Sequence, residues 1–457
     1  MSDFQTEENF NAKGEVVMVK KMFGWAAAVL LLAAPACVLA AGSAGGGDWH
    51  SLFIGDDGEL YAAGVNMNGA FGNGETGFTQ ESSPVLVELP ENQKPLKIFN
   101  DGLGAASYIL GTDGNVYSFG DSSYMQLGRE GDAATPARVE MPEGVSITDM
   151  SAGFGYAAAI GSDGQVYSWG NNDSGQIGDG TNSSRFFPTK ALLPEGVSAL
   201  KIAAGDDHTT VVGSDGKVYS WGSNDYGQLG SDTSSRTTPG EVFLPEGVSI
   251  SDISAGQDHV MAIGSDGKLY AWGGNGQGQL GDGTTASRSE VAEVSLPEGI
   301  SVMKIANSAL GSAAIGSDGK VYLWGSVDGY TSYSVPQAMD LPEGVVPSDL
   351  GSTGAGFLIS GSDGQLYSVG GNRFGELATG DLSSKSVPFQ TGFFLMPQPD
   401  SDSANNSSPD AGSGDDQSPT EDVTGSHGFE FSPPEKMDPA FVVEPDTGRV
   451  FIMIEAY

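Results

Sequence analysis

The sequence predicts an all-β fold, a seven-bladed β-propeller of four-stranded antiparallel blades, on three observations. First, an Asp-Gly pair flanked by strand-like runs recurs at Asp57, Asp113, Asp163, Asp215, Asp266, Asp318 and Asp363, with successive spacings of 56, 50, 52, 51, 52 and 45 residues. A period of about fifty residues is the mark of a propeller or a solenoid. Second, each full period holds four short strand-like runs, and the 69 glycines of the chain supply turns between them. That much glycine without a collagen-like period belongs to an all-β repeat. Third, no 3.6-residue apolar spacing runs through the units, which excludes a helical repeat.

The fourth unit shows the elements in order. Residues 198–204 alternate as a strand and break at Gly205; residues 209–213 form the second strand, and 217–221 the third. The Asp215-Gly216 pair between them reads as a tight type I′ hairpin, which needs positive φ at both central residues. A polar loop through Asn224, Asp225 and Gly227 leads to a fourth strand over 239–244. Pro245-Glu246-Gly247 then closes the unit and reads as a type I turn, with Pro in the second place and Gly in the fourth. The same tripeptide recurs at Pro142, Pro194, Pro297 and Pro342. In Val218-Tyr219-Ser220-Trp221 both side-chain sets are uncharged, as expected of a strand packed against neighbouring blades on both faces. The count starts mid-unit, because residues 46–50 enter at the second strand and no pattern marks a first strand for unit one. A closed ring needs that strand, and the C-terminal hairpin described next is one expected source.

Residues 1–40 read as a leader, 41–396 as the propeller, 397–428 as an acidic linker and 429–457 as a terminal hairpin. Lys20 and Lys21 precede an apolar run over 22–39, the layout of a secretory signal peptide with cleavage after Ala40. The acidic residues ahead of Met18 suggest that translation starts there. An uncleaved anchor and lipidation at Cys37 are the rival readings, and only through them would the chain touch a membrane. The linker is polar, acidic and without apolar content. Beyond it, residues 440–443 and 449–454 flank Glu444-Pro445-Asp446-Thr447-Gly448 as a hairpin, too small to be stable alone.

A formal net charge of -39, with only 20 lysines and arginines, argues against a nucleic-acid-binding surface, since phosphate contacts need clustered cations. Cys37 is the only cysteine. Once the leader is removed, disulfides, cysteine-ligated metals and a cysteine nucleophile are excluded together. No phosphate-binding loop, dinucleotide fingerprint or nucleophile elbow sits in a strand-to-helix context, so no cofactor and no catalytic residue is assigned. The acidic loops 178–181 and 281–284 lack calcium-loop spacing and read as turns, so no metal is assigned.

The run Trp169-Gly170-Asn171-Asn172-Asp173-Ser174-Gly175-Gln176-Ile177-Gly178, with its counterparts from Trp221 and Trp272, resembles the repeat signature of the regulator of chromosome condensation family. The Ala-Gly-x-x-His lead-ins ending at His208 and His259 are similar too. The resemblance covers about residues 47–396 and implies a seven-bladed propeller. Departures are visible: Ala63, Phe119 and Val369 stand at the Trp position, and unit six loses the Gln-Leu-Gly ending after Trp324-Gly325. The His position keeps only His50, His208 and His259, which reads as packing rather than catalysis.

In an up-and-down blade, the loop joining strands one and two and the loop joining strands three and four emerge on one face. That face carries Trp49, Tyr124, Phe154, Asp206, Asp207, Asp225, Tyr226, Asp258, Arg373 and Phe374. Aromatic and Arg side chains among acidic ones are what a protein-binding surface uses as anchors. The expected function is an exported, monomeric, non-enzymatic module that binds another protein. Guanine-nucleotide exchange on a small GTPase, implied by the family's namesake, and carbohydrate binding or hydrolysis are the alternatives.

Overall fold

A computed structural model describes residues 7–10, 16–19, 43–47, 49–90, 93–99, 104–231, 234–395, 441–443 and 450–452. The leader's apolar run, Cys37 and the acidic linker lie outside them. The chain divides into two units, Met1–Pro399 and Asp400–Tyr457. In the second, Phe441–Val443 pairs antiparallel with Val450–Ile452. Near the start of the first, Glu7–Phe10 pairs antiparallel with Val16–Val19, a pairing the sequence pattern did not suggest.

Seven four-stranded antiparallel sheets follow in chain order, and each is built from four consecutive strands. Blade 4 is typical: Ala199–Ala204, His208–Gly213, Val218–Gly222 and Arg236–Glu241. Its fourth strand starts three residues earlier than the pattern indicates. The Arg236 guanidinium donates to Ser220 O and to Gly240 O, both at 3.0 Å, which holds the early part of the strand against the third. First strands are innermost and touch those of adjacent blades, while fourth strands form the half-exposed rim. Between blades lie the apolar clusters, such as Tyr156, Ala158 and Val166 of blade 3 against Ile202 and Trp221 of blade 4.

Both repeated turns differ in type from the expectation. In the Asp-Gly hairpin, Gly216 N bonds Gly213 O at 3.0 Å and Gly213 N bonds Lys217 O at 2.8 Å, and positive φ falls on Gly216 alone, at 81°. The loop is therefore a type I turn over Ser214 and Asp215 followed by a left-handed glycine, rather than I′. The aspartate is held in its ordinary conformation by its partners: Oδ1 accepts from Lys217 N at 3.2 Å and Oδ2 from the Tyr219 hydroxyl at 2.6 Å. All seven blades repeat this tyrosine-to-aspartate bond. In the Pro-Glu-Gly turn, Val145 N bonds Pro142 O at 3.0 Å and Gly144 has φ 78°. Pro is thus first and Gly third, a type II turn, because the left-handed position must fall on the glycine.

Ring closure also departs from the expectation. The first strand of blade 1 is Ala44–Gly46, paired with His50–Ile54 in the register Ala44↔Phe53. Among the described residues no other segment takes that place in the sheet. Ala-Gly-Gly has no apolar alternation and so left no pattern, yet glycine is required there, since a Cβ on Gly46 would lie 2.3 Å from His50 O. The outer strand of blade 7, Lys385–Phe394, runs on to Leu395, which bridges Gly55 of blade 1. Phe393 packs its ring 5.6 Å from Phe53 and 5.2 Å from Tyr61. On the inner strands, Lys97–Asp149, Lys201–Asp252 and Lys304–Asp349 join blades in pairs, 2 with 3, 4 with 5 and 6 with 7. An odd ring cannot alternate charge throughout, and blade 1 carries the neutral Ser43 where the pattern would break.

Candidate interaction face

The loop joining strands three and four is locked by its own side chains. Asn172 accepts from Ile177 N at 2.9 Å through Oδ1 and donates to Thr181 O at 2.9 Å and Ser183 O at 3.0 Å through Nδ2. Gln176 Oε1 accepts from Ser174 N at 3.0 Å. Its backbone carbonyl accepts from the indole N–H of Trp221 in the next blade at 2.8 Å, and the same bond recurs from Trp169 to Gln126, Trp272 to Gln228 and Trp324 to Gln279. Gly178, at φ 78°, lies on that indole, and a Cβ there would be 2.6 Å from Trp221 Nε1. Between the asparagine and this clamp, residues project outward, among them Asp225 and Tyr226 in blade 4 and Arg373 and Phe374 in blade 7.

The loops joining strands one and two are linked head to tail around the pole. Phe154 N bonds Asp206 O at 3.3 Å, Asp206 N bonds Gln257 O at 3.0 Å, and Gln257 N bonds Ala309 O at 3.0 Å. Ala309 N then bonds Gly354 O at 3.2 Å, and Gly354 N bonds Gly47 O at 2.9 Å. This backbone chain fixes the positions of Trp49, Phe154, Asp206, Asp207 and Asp258 relative to one another.

The ten residues singled out in the sequence fall into three groups on this pole. Tyr124 and Phe154 pair across blades 2 and 3 with ring centroids 5.9 Å apart, and both are more than 40% exposed. Trp49 and Phe374 pair across blades 1 and 7 at 5.8 Å, and the Arg373 guanidinium lies 5.6 Å over the Phe374 ring. Asp206, Asp207, Asp225 and Asp258 form an acidic sector over blades 4 and 5, with the exposed Tyr226 beside them. Gln176 Nε2 donates to Asp207 at 2.8 Å, and Gln228 Nε2 to Asp258 at 3.3 Å, each across a blade junction. Burial, then the charges of Asp207 and Asp225, push Asp258 up to about 6. Burial, then Asp173 and Asp225, raise Asp207 as well.

The histidines and acidic loops noted in the sequence have the following surroundings. His50, His208 and His259 are buried. His50 Nε2 pairs with Ser107 Oγ at 2.8 Å and His259 Nε2 with Ser312 Oγ at 3.0 Å, both in the following blade. Neither ring nitrogen of His208 has a partner, and the place that supplies the Nε2 partner to His50 and His259 is held here by Val260. Burial, with His259 nearby, pushes His208 down to about 3. In blade 4 the same place holds Thr209, whose hydroxyl donates to Gln176 O at 2.9 Å. Val260→Thr is isosteric and gives His208 a partner; it is expected to stabilise the fold by about 1 kcal/mol, read by urea unfolding. In the acidic loops, Asp179 Oδ1 accepts from Thr181 N and Oγ1, and Asp179 Oδ2 accepts from Arg185 Nε at 2.7 Å, so the carboxylate builds the turn. Among the described residues no group of three or more His, Cys, Asp or Glu side chains is arranged to hold a metal.

One residue was missed in the sequence. Glu376 stands in blade 7 where blades 2 to 5 carry Gln126, Gln176, Gln228 and Gln279. It is 2% exposed, and burial pushes its carboxyl up to about 7. The signal was present in the ending Gly-Glu-Leu-Ala against Gly-Gln-Leu-Gly in blades 4 and 5.

Seven four-stranded blades closed into a ring, four of its junctions held by an indole-to-carbonyl bond and the loops of one pole presenting residues that vary from blade to blade, define a repeat-built β-propeller. The chain belongs to the RCC1-like domain family, which it matches over residues 79–404. It is similar to the E3 ubiquitin-protein ligase HERC2 of Homo sapiens, 28% identical over 288 residues, a match covering 62% of this chain and 6% of that protein. The Ultraviolet-B receptor UVR8 of Arabidopsis thaliana is 31% identical over 248 residues, covering 52% of this chain and 56% of UVR8. The chain therefore spans a small part of the first relative and about half of the second. Among solved structures, human WBSCR16 superposes with TM-score 0.60 at 22% identity, covering 68% of this chain and 84% of that one. Yeast RCC1 (Prp20), solved with Kap60, gives TM-score 0.59 at 20% identity over 71% and 80% of the respective chains. At these identities the structural likeness shows the fold alone.

Proposed function

We propose that this chain is an exported, non-enzymatic propeller that binds another protein through the pole carrying Trp49, Tyr124, Phe154, Tyr226, Arg373 and Phe374. The observation that carries the reading is the difference between the two poles. One is built from an Asp-Gly turn repeated in all seven blades and a Pro-Glu-Gly turn repeated at five places. The other sets large side chains that differ from blade to blade on a rigid backbone ring, the arrangement of anchor residues on a binding surface. Yeast RCC1, a chain that contains this fold, is crystallised bound to another protein, Kap60. The ligase activity in the name of HERC2 belongs to a protein of which this chain matches 6%. Export rests on the charged and apolar layout of residues 20–40.

The test is capture of envelope and secreted proteins by the purified mature chain, beside the variants Trp49→Ala/Phe374→Ala and Tyr124→Ala/Phe154→Ala. At least one variant is expected to weaken capture about tenfold with little change in melting temperature. Capture untouched by either variant rejects the pole. Recovery of a GTPase alone favours nucleotide exchange, and glycan binding without a protein partner favours the carbohydrate reading.

A further inference from the structure

The junction of blades 7 and 1 departs from the other clamps in a way that has chemical consequences. Glu376 Oε2 accepts from Phe374 N at 2.8 Å, just as each glutamine oxygen accepts from the residue two places before it. The far side of the glutamine amide donates to Asp207 in blade 4 and to Asp258 in blade 5, the residues directly before His208 and His259. In blade 1 the residue directly before His50 is Trp49. A carboxylate thus replaces the amide, and an aromatic ring replaces the carboxylate it would have met. Glu376 is almost fully buried without a cation, although a buried carboxylate is stabilised only by charge pairing or several donors.

The groups around it do not neutralise it. Arg373 on the same loop lies over the Phe374 ring. His50 of blade 1 is buried and neutral, its pKa pushed down to about 4 by burial. Glu81 on the outer strand of blade 1 presents a backbone carbonyl to Gly375. Ser51 donates its hydroxyl to the Glu376 carbonyl, not to the carboxylate. The half-buried Trp49–Phe374 ring pair, tied to the unneutralised carboxylate through the Phe374 amide, brings to one junction the two groups that attract a cation most strongly out of water, and Phe374 already accepts one guanidinium on its face.

We propose that this junction binds one cationic side chain, a lysine or arginine projected by a protein partner, with its charge on Glu376 and its stem against Trp49 and Phe374. The proposal rests on the reading of this pole as the binding face. Entry of the side chain parts the Trp49 and Phe374 rings, and the chain's net charge of -39 draws cationic segments toward it.

The test uses the full chain and three blocked peptides, Gly-Gly-Lys-Gly-Gly and its Arg and Gln counterparts, followed by calorimetry and by the NMR signal of the Trp49 indole. At about pH 8 the Lys and Arg peptides are expected to bind and shift that signal, and the Gln peptide is not. Glu376→Gln restores the residue the other clamps carry, so the fold is retained, and affinity is expected to fall at least about tenfold. Binding is expected to weaken as the pH falls to about 5.5 and the carboxylate gains a proton. Equal binding by Glu376→Gln, or no binding of either cationic peptide at about pH 8, overturns the pocket. If partner capture is still lost in Tyr124→Ala/Phe154→Ala while Glu376→Gln leaves peptide binding unchanged, the pocket fails and the pole reading stands. Capture unaffected by the aromatic variants overturns the pole reading itself.

Discussion

Trp221→Ala is expected to destabilise the propeller by about 3–5 kcal/mol, the range for removing a large aromatic side chain from a packed core. Trp221 is fully buried between blades 3 and 4, with its indole N–H on Gln176 O and its face on Gly178. Truncation opens a cavity and leaves that carbonyl without the indole, so the loop carrying Asp173 and Ser174 loosens along with the core. Urea unfolding reads the loss, and hydrogen exchange at the amides of Ser174 and Ile177 should quicken beyond the global effect. Trp221→Phe is the informative companion. Blade 2 carries Phe119 at this place, packed on Gly72, so a ring without the N–H fits the geometry. Its loss should be confined to the hydrogen bond and some area, about 1–2 kcal/mol. Equal effects of the two substitutions would show that the hydrogen bond, not packing, carries the junction.

Glu376→Gln is expected to stabilise the fold, and only where the carboxyl is ionised in the unfolded chain. The folded-state pKa is pushed up to about 7 by burial, against an ordinary value of 4.5, so the folded protein binds the proton more tightly than the unfolded one. The wild-type chain therefore loses stability as pH rises from about 4.5 through 7, with a full loss of about 3 kcal/mol above that. The variant should match the wild type near pH 4.5 and exceed it by about that amount near pH 8, read from the melting temperature across the range. A gain independent of pH would assign the effect to packing instead of charge.

The same junction shows how departures in sequence compensate one another. Ala63 stands at the Trp place in blade 1, and Ala378, at φ 54°, stands where other blades carry the glycine that packs on the indole. Both fall in one apolar cluster with Phe53, Leu358, Leu366 and Leu395. With no indole to receive, the left-handed site can carry a methyl group that fills the space. Seen one unit at a time, Ala63 and Ala378 look like two unrelated losses of the motif. They are a single exchange because the residues belong to neighbouring blades.

Much of the architecture was legible because it depends on local periodicity. The seven Asp-Gly pairs, the alternation within each unit and the glycine content specify strand number, strand order and blade count, since a β-strand's side-chain period and its turn chemistry are properties of short segments. The asparagine and the Gln-Leu-Gly or Gln-Ile-Gly shared by the loops of blades 3, 4 and 5 could be assigned to the scaffold by their repetition alone. Turn types were less legible: Asp215 takes an ordinary φ because Tyr219, four residues on and in the next strand, binds its carboxylate. The first strand of blade 1 escaped notice because Ala-Gly-Gly has no side-chain pattern, and its place is defined by pairing with His50–Ile54, by contact with Pro347–Thr353 of blade 7 and by the Gly354 N to Gly47 O bond.

By itself, then, the sequence determined a ring of seven four-stranded blades, the face on which its variable loops emerge, and the residues those loops carry. Tertiary structure decided which of those residues meet. Trp49 and Phe374 are 325 residues apart in the chain and 5.8 Å apart in space, and Glu376 is buried beside them without a counter-ion. The physical reason is that ring closure brings the first blade against the last, and a desolvated charge is a property of what surrounds a residue, which no local pattern contains.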